Sequence, residues 1–301
     1  MKKIKTLVTG GAGFIGSNLV DKLVSLGHQV VVVDNESSDA HDNFYWNDKC
    51  ENHKLDICDY DAIIPLFKNV EIVFHIAAEA RIQPAILNPT KAVKTNVLGT
   101  CNVLQAAREN NVKRVVYSST SSAYGLKNNP PLIETMQKDC LNPYSVSKTS
   151  GEELCIMYYK LFGLETVIFR YFNVYGERQP TRGQYAPVIG LFQKQKAEGK
   201  KMTVVGDGLQ RRDFTHVSDV VDANVLAGFS KNNQIFGELF NIGTGKNHSV
   251  MDLVKLIGGE HEYIPPRIGE AKITLADNSK ARDMLGWLPK IVLEDWIDEN
   301  K

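Results

Sequence analysis

The feature that most constrains the fold is a glycine-rich turn near the start of the chain. Gly10, Gly13 and Gly16 follow a short apolar run at the spacing of a turn that opens a helix. Glycine lets the backbone approach a pyrophosphate, and the helix N-terminus offers free N–H groups. The next apolar run, 30–33, ends in Asp34, which is placed to bind an adenosine ribose and to repel a 2′-phosphate. A glycine turn alone could be an ordinary tight turn, but this combination predicts dinucleotide binding, with NAD preferred over NADP.

Strand and helix patterns alternate along the first 175 residues. Apolar runs near 54–55, 72–76, 115–117 and 166–169 read as strands, and helical patterns lie at 62–67, at 90–110 and after Pro143. Six or seven strands in such an alternation predict an α/β fold with a doubly wound parallel sheet of the Rossmann type. The polar stretch 35–53 is predicted as a loop near the adenosine.

The regular alternation stops after residue 176. A charged loop is predicted at 177–185, a helix at 188–197 and a turn at 206–208. We therefore predict an NAD-binding domain over 1–175 and a smaller mixed α/β substrate domain over 176–301. The segment near 210–235, with a helix at 217–229, is expected to pack back on the first domain.

Ligands of doubly wound sheets lie outside the carboxyl ends of the strands. Small and hydroxylated residues cluster at these ends, although each of them could instead merely fill a turn. Together with the glycines and Asp34, the predicted cofactor-binding residues are Phe14, Ile15, Asn35, Asp56, Ile57, Ala77, Ala78, Ser118 and Tyr171.

Charge and cysteine content exclude several classes of protein. Lys plus Arg and Asp plus Glu both number 35, so no net charge favours nucleic acid or an anionic membrane. The five cysteines are widely spaced and form no CxxC pair, which argues against a disulfide framework or a metal site. The start of the chain lacks the apolar region of a signal peptide, and no apolar run is long enough to span a bilayer. These observations predict a cytoplasmic protein with small-molecule partners and no bound metal.

A second pattern predicts a general base. Asn142 and Pro143 are typical of a helix start, so Tyr144 and Lys148 lie on one face of that helix. An ammonium group beside a phenol favours the phenolate, especially near a positively charged nicotinamide ring. The pKa of Tyr144 is therefore expected to fall from about 10 toward neutrality.

The spacing alone does not identify this pair. Tyr45 and Lys49 are also four residues apart, but they lie in a predicted loop. The capped helix and the hydroxyl groups of 118–122 at the preceding strand end favour Tyr144, and Tyr45 is interpreted as a surface residue.

Four segments carry a family resemblance: 9–16, 118–125, 144–148 and 170–176. Together they resemble the extended short-chain dehydrogenase/reductase family, in its NAD-dependent epimerase/dehydratase branch. Within it, 206–214, 241–245 and 266–270 are most similar to the UDP-hexose 4-epimerases. The resemblance covers nearly the whole chain, and it implies NAD, a UDP-sugar and a homodimer built from helices near 90–110 and 145–162.

The resemblance implies that Thr120 and Tyr144 hold the sugar 4-hydroxyl and that Lys148 contacts the nicotinamide ribose. The sugar would be oxidised transiently to a 4-keto form and reduced again on its opposite face. Dehydratases and decarboxylases of this family carry acids just after the threonine, where this chain has Ser121 and Ser122. The implied reaction is therefore 4-epimerisation.

The resemblance also implies a set of substrate contacts. Two arginines presented to a diphosphate give strong charge-assisted hydrogen bonds, although a single arginine is more often a solvated surface charge. The implied contacts are Ser122 on the sugar, Asn173, Arg212 and Arg267 on the UDP diphosphate, and Glu270 on the uridine ribose.

Thr274, seven positions after Arg267, corresponds to a residue that lines the sugar pocket near C2 in the related epimerases. A threonine leaves room for an acetamido group, so activity on UDP-GlcNAc and UDP-GalNAc is expected beside UDP-glucose and UDP-galactose. Alternatively, Thr274 is simply a residue of a strand over 272–275.

Other interpretations stay open at this point. The chain could be a nucleotide-sugar reductase or a UDP-uronate epimerase, or an NAD-binding sensor without catalysis. The loop with Glu79 and Arg81 is more charged than is common in epimerases and leaves the sugar-facing surface undefined.

Overall fold

The computed structural model of the protein describes residues 3–183 and 186–300. Its strands are β1 Lys5–Thr9, β2 Gln29–Asp34, β3 Glu51–Lys54, β4 Ile72–His75, β5 Arg114–Thr120, β6 Glu165–Tyr171, β7 Val174–Tyr175, β8 Met202–Val205, β9 Arg211–Asp213, β10 Thr215–His216, β11 Glu238–Ile242, β12 Asn247–Ser249 and β13 His261–Ile264. Its helices are α1 Phe14–Ser25, α2 Tyr60–Ile63, α3 Ile82–Leu87, α4 Pro89–Val93, α5 Thr100–Glu109, α6 Pro143–Phe162, α7 Val188–Ala197, α8 Val217–Phe229, α9 Val250–Ile257, α10 Ser279–Leu285 and α11 Leu293–Glu299. Within these ranges, every helix is too short or too polar to cross a membrane.

Seven strands form one parallel sheet in the order β11-β6-β5-β4-β1-β2-β3. Strand β1 pairs with β2 on one side and with β4 on the other, so the strand order reverses at β1. In a doubly wound sheet this reversal opens a crevice at the carboxyl ends of the strands. The predicted fold class is confirmed.

Both faces of the central sheet are covered, as is usual for a parallel sheet. On one face Val8, Val32 and Phe74 are buried against α1 and α8. On the other face Leu7 and Val31 belong to a cluster that includes residues of α5 and α6. This two-sided burial explains why the strands read as continuous apolar runs rather than as alternating patterns.

One predicted boundary was wrong, and one predicted helix contains a segment of another helix type. Strand β3 begins at Glu51, inside the predicted loop 35–53, because it is a largely exposed edge strand without an apolar pattern. The helix predicted over 90–110 is interrupted by a π-helical segment, Lys94–Gly99, between α4 and α5. The predicted loop 177–185 includes Gln184 and Tyr185, which lie outside the described residues.

The smaller, C-terminal part has a core of its own. Residues of α7, β8, α9 and α11 bury side chains there, including Phe192, Leu253 and Trp296. Its strand pairs are of both kinds, since β8 and β13 run parallel and β9 and β12 run antiparallel. This part is therefore a mixed α/β unit.

The chain returns to the central sheet after this part has begun. Helix α8 packs on α1, and β11 pairs with β6 as the seventh strand. The returning segment thus extends to Ile242, beyond the predicted 210–235. The division into domains at residue 175 stays a prediction.

We predict that Gly16→Ala destabilises the fold. A Cβ atom at Gly16 would lie 2.0 Å from the carbonyl oxygen of Gly10, so the turn and α1 would have to separate. Overpacking of this kind costs about 1–3 kcal/mol. Urea unfolding measures the loss. Gly13→Ala is the matched control, since its Cβ would meet no protein atom within 3.4 Å, and equal stability of the two variants would contradict the prediction.

Candidate active site

A cavity of about 780 Å³ lies at the carboxyl ends of the central strands and is also lined by residues of the smaller part. Most of the predicted site residues line it. They are Gly10, Gly13, Phe14, Ile15, Gly16, Asp34, Asn35, Ile57, Ala77, Ala78, Thr120, Ser122, Tyr144, Tyr171, Asn173, Arg212, Arg267, Glu270 and Thr274.

Three predicted residues do not line the cavity: Asp56, Ser118 and Lys148. The Asp56 carboxylate accepts the N–H of Cys58 at 2.8 Å and stabilises a turn. The buried Ser118 hydroxyl donates to the carbonyl oxygen of His75 at 3.1 Å and ties β5 to β4. Local hydrogen bonds thus engage both side chains, and cofactor contact by Asp56 and Ser118 stays a prediction.

The glycine turn forms a cradle at the start of α1. Gly10 has φ +68°, and a Cβ atom there would lie 2.7 Å from the amide nitrogen of Ala77. Helix α1 has no side-chain cap at Gly13 and no acid in its first turn. Its first N–H groups and its positive dipole end therefore face the cavity without a protein partner, which fits the pyrophosphate of a dinucleotide.

Asp34 ends β2 at the edge of the same cavity. Its two carboxylate oxygens accept the N–H groups of Ala12 at 3.1 Å and Glu36 at 2.8 Å. Burial raises the pKa of Asp34, and these hydrogen bonds oppose that rise. Each oxygen keeps lone-pair capacity for a ribose hydroxyl.

Tyr144 and Thr120 come together from two different elements. A capping box of Asn142 and Ser145 starts α6, so Tyr144 lies in its first turn. Thr120 ends β5, and its hydroxyl accepts the N–H of Ser122 at 3.1 Å and lies near enough to the Tyr144 side chain to affect its pKa. The pair therefore presents two hydroxyl groups to one point of the cavity.

The predicted direction of the Tyr144 pKa shift was wrong for the protein alone. Burial raises the pKa of Tyr144, and the nearby Thr120 hydroxyl opposes the rise. Lys148 lies beneath the cavity wall, with its ammonium group 4.4 Å from the centre of the Tyr117 ring. Burial lowers the pKa of Lys148 to about 7, so near neutral pH it is only partly protonated and favours a phenolate less than an ordinary lysine would.

Asn96 supports the wall of the cavity from behind and was not predicted from the sequence. It lies in the π-helical segment, where its amide accepts the N–H of Glu79 at 2.8 Å and donates to the carbonyl oxygen of Glu79 at 3.1 Å. It also donates to the Ser147 hydroxyl at 2.9 Å. Asn96 thereby connects the loop after β4 to α6, and a π-helical turn has no periodic pattern that would have revealed it.

Arg212, Arg267 and Glu270 form one charged cluster in the cavity. The carboxylate of Glu270 lies 3.6 Å from Arg212 and 4.0 Å from Arg267. Burial lowers the pKa of Arg212, and Glu270 opposes the fall. Two guanidinium groups at one carboxylate leave a net positive charge, which suits a diphosphate.

Asn173 and Thr274 are joined by a hydrogen bond. The Asn173 amide donates to the carbonyl oxygen of Asp213 at 2.9 Å and to the Thr274 hydroxyl at 3.2 Å. Both amide hydrogens are thus in use within the protein, and the contact of Asn173 with a diphosphate stays a prediction. Thr274 follows an isolated bridge at Ile273 rather than lying in a regular strand.

The charged loop after β4 also reaches the cavity. Glu79 and Arg81 both line it, and Glu79 pairs with Lys91 at 2.7 Å. Because Glu79 is paired with Lys91, Arg81 is the residue of this loop that brings positive charge to the cavity.

The parallel sheet, the glycine cradle and the Thr120–Tyr144 pair define a dinucleotide-dependent enzyme that acts on a substrate hydroxyl. The comparison with protein families agrees, since residues 6–243 match the NAD dependent epimerase/dehydratase family. The chain belongs to this family. NAD is therefore its cofactor.

Relatives across almost the whole chain carry epimerase names. A putative UDP-glucose 4-epimerase of Methanocaldococcus jannaschii is 41% identical over 299 residues, 97% of this chain and 95% of the relative. A UDP-glucose 4-epimerase of Thermotoga maritima, solved with UDP-glucose, has a TM-score of 0.92 and 37% identity, covering 98% of this chain and 96% of that one. A UDP-N-acetylglucosamine 4-epimerase of Methanobrevibacter ruminantium, in complex with UDP-N-acetylmuramic acid, has a TM-score of 0.92 and 31% identity, covering 100% and 97%.

We predict that Tyr144→Phe keeps the fold and NAD binding but lowers kcat at least about 10²-fold, because the general base is lost. Steady-state kinetics and an NAD titration measure both effects. Tyr45→Phe is the matched control, because Tyr45 lies outside the cavity wall, against Arg178. Equal activity of the two variants would remove Tyr144 from the mechanism.

Proposed function

We propose that the protein is a UDP-hexose 4-epimerase that also accepts UDP-GlcNAc and UDP-GalNAc. The observation that carries the proposal is that Thr120 and Tyr144 line the same cavity as the Arg212, Arg267 and Glu270 cluster. The pair suits a sugar hydroxyl, and the cluster suits the diphosphate to which that sugar is attached. The UDP-glucose and UDP-N-acetylglucosamine 4-epimerases similar to this chain support both substrate pairs.

In this proposal the glycine cradle and Asp34 hold NAD, which supplies a hydride acceptor that can also return the hydride. Tyr144 takes the proton of the 4-hydroxyl and Thr120 orients the 4-oxygen. Lys148, beneath Tyr144, favours the phenolate when it is protonated. Arg212 and Arg267 hold the diphosphate while the 4-keto sugar turns its other face to the cofactor.

Neutral sugars are favoured over uronates by the cavity wall next to Tyr144. The lining residues between 119 and 144 are all uncharged: Ser119, Thr120, Ser121, Ser122, Gly125, Leu141, Asn142 and Tyr144. A uronate would bring a second anionic group and would need a cation, which this part of the wall does not supply; Arg81 in the loop after β4 is a cation elsewhere in the cavity. Ser121 and Ser122 also provide no acid for elimination or decarboxylation.

A panel of UDP-glucose, UDP-GlcNAc and UDP-glucuronate tests the function. The protein with NAD should interconvert the 4-epimers of the first two, as followed by NMR of the sugar, without net formation of NADH. Stoichiometric consumption of added NADH would instead identify a one-way reductase. Binding without turnover would identify a sensor.

We also propose a cytoplasmic homodimer. Exposed apolar side chains lie on the two helical segments that the resemblance assigns to the interface. They are Val93 and Leu98 before α5, and Val146, Met157 and Leu161 on α6. A second copy of the chain would cover them, and the measured mass in solution tests this.

We predict that Thr274→Tyr discriminates against N-acetylated sugars. Its larger side chain should lower kcat/KM for UDP-GlcNAc at least about ten-fold relative to UDP-glucose, because the acetamido group needs that space. Thr274→Val is the matched control: it keeps the size but removes the hydroxyl that Asn173 contacts, so both substrates should be affected alike. If the ratio of kcat/KM for UDP-GlcNAc to kcat/KM for UDP-glucose were the same in both variants, the size of residue 274 would not determine which sugars are accepted.

A further inference from the structure

Tyr144, Lys148 and Glu152 recur every four residues along α6, so they share one face of the helix. The proposed reaction uses the first two and leaves Glu152 without a role. The side chain of Glu152 has an exposed fraction of 0%, so its charge must be compensated inside the protein. Although burial opposes it, the bonds and charge of Arg170 hold the pKa of Glu152 below its usual value, and the group is a carboxylate.

Glu152 accepts hydrogen bonds from two elements of the sheet and forms an ion pair with the loop before α6. Arg170 binds it in a bidentate manner, Nε to Oε1 and Nη2 to Oε2, both at 2.8 Å. The Ser119 hydroxyl donates to Oε1 at 2.6 Å, and the ammonium group of Lys138 lies 3.0 Å from Oε2. Charge-assisted contacts of this kind are the strong ones.

These partners are direct neighbours of site residues in the chain. Ser119 precedes Thr120 at the end of β5, and Arg170 precedes Tyr171 at the end of β6. Glu152 itself lies on the helix that carries Tyr144. One carboxylate therefore fixes the two strand ends against the catalytic face of α6.

Glu152 also determines the charge around Lys148. The titratable groups that face Lys148 are His75 from β4, Tyr117 from β5, and Cys155 and Glu152 from α6. Burial lowers the pKa of His75 to about 3 and raises the pKa values of Tyr117 and Cys155, so these three are neutral near pH 7. Glu152 is the charged group among them, and its negative charge opposes the burial that lowers the pKa of Lys148.

We propose that Glu152 is a positioning residue for the reaction, which holds Thr120 and Tyr144 in register and favours the protonated form of Lys148. This inference rests on the proposed function for its kinetic consequences. Its electrostatic part concerns the protein alone and needs no substrate.

The test is the variant Glu152→Gln, which keeps the size and removes the charge. Without the carboxylate, the protonated form of Lys148 is less favoured, so Lys148 loses its proton at lower pH. If the pKa of Lys148 falls by about one unit, the protonated fraction of Lys148 at pH 8 falls about ten-fold, and kcat at pH 8 should fall about ten-fold relative to wild type. The titration of Lys148 is followed by NMR in protein with carbon-13-labelled lysine and assigned with Lys148→Arg, and the pH profile of kcat is measured beside it.

Two variants separate charge from position. Glu153→Gln removes the neighbouring, exposed acid that also binds Lys138, and it should leave the Lys148 titration and kcat unchanged. Ser119→Ala keeps every charge but removes one hydrogen bond of Glu152, and it should lower kcat without moving the titration.

The double variant Glu152→Gln/Arg170→Gln avoids an unpaired buried guanidinium if the single variant does not fold. A smaller move of the Lys148 titration in the same direction is expected there, because losing the charge of Arg170 partly offsets losing the carboxylate. A Lys148 titration that stays at the wild-type pH in the folded variants, or that Glu153→Gln moves equally, would overturn the proposal. Because the NMR titration needs no turnover, its result stands even if no UDP-sugar is epimerised.

Discussion

All seven strands of the central sheet run parallel, and this constraint brings the site residues together from segments that are far apart in the chain. Parallel strands must be joined by crossovers, so every strand presents its carboxyl end at the same edge. The glycine cradle follows β1, Thr120 ends β5, and Asn173 comes just after β6. The smaller part then closes the cavity with Arg212 and Arg267. The chemistry therefore depends first on the shared direction of the strands, which places the site residues at one edge of the sheet. It depends second on the identity of the individual side chains.

Residues whose function follows from backbone geometry could be predicted from the sequence. Gly10 and Gly16 leave no room for a Cβ atom, and the pattern around them indicated both the turn and the helix. Tyr144 could be distinguished from Tyr45 because the residues before Tyr144 are typical of a capped helix start. Tyr45 lies in a stretch predicted as a loop, which gives a side chain less fixed support. The local hydrogen bonds of Asp56 to Cys58 and of Ser118 to His75 could not be predicted in the same way, because they become visible only in the folded chain.

Burial is the main reason why electrostatic expectations failed. The spacing of Tyr144 and Lys148 predicts that their side chains are close together. It does not predict how far each side chain is desolvated, because that depends on residues packed around it from other strands and helices. Lys148 is buried against Tyr117 and its own helix. Burial lowers the pKa of Lys148, so a smaller fraction of it is protonated and able to stabilise a Tyr144 phenolate. The compensating carboxylate of Glu152 is itself held by Arg170, 18 residues further along the chain, and no local pattern connects them.

The late position of β11 has a consequence for synthesis of the chain. This strand covers the outer edge of β6, yet 66 residues separate the end of β6 from its first residue, Glu238. Until that strand emerges from the ribosome, the backbone N–H and C=O groups along one side of β6 have no partner. An unpaired edge of this kind is a template for pairing with another chain. If the other six strands associate before β11 is synthesised, the nascent protein exposes this unpaired edge, and a chaperone that covers β6 would protect it during that interval.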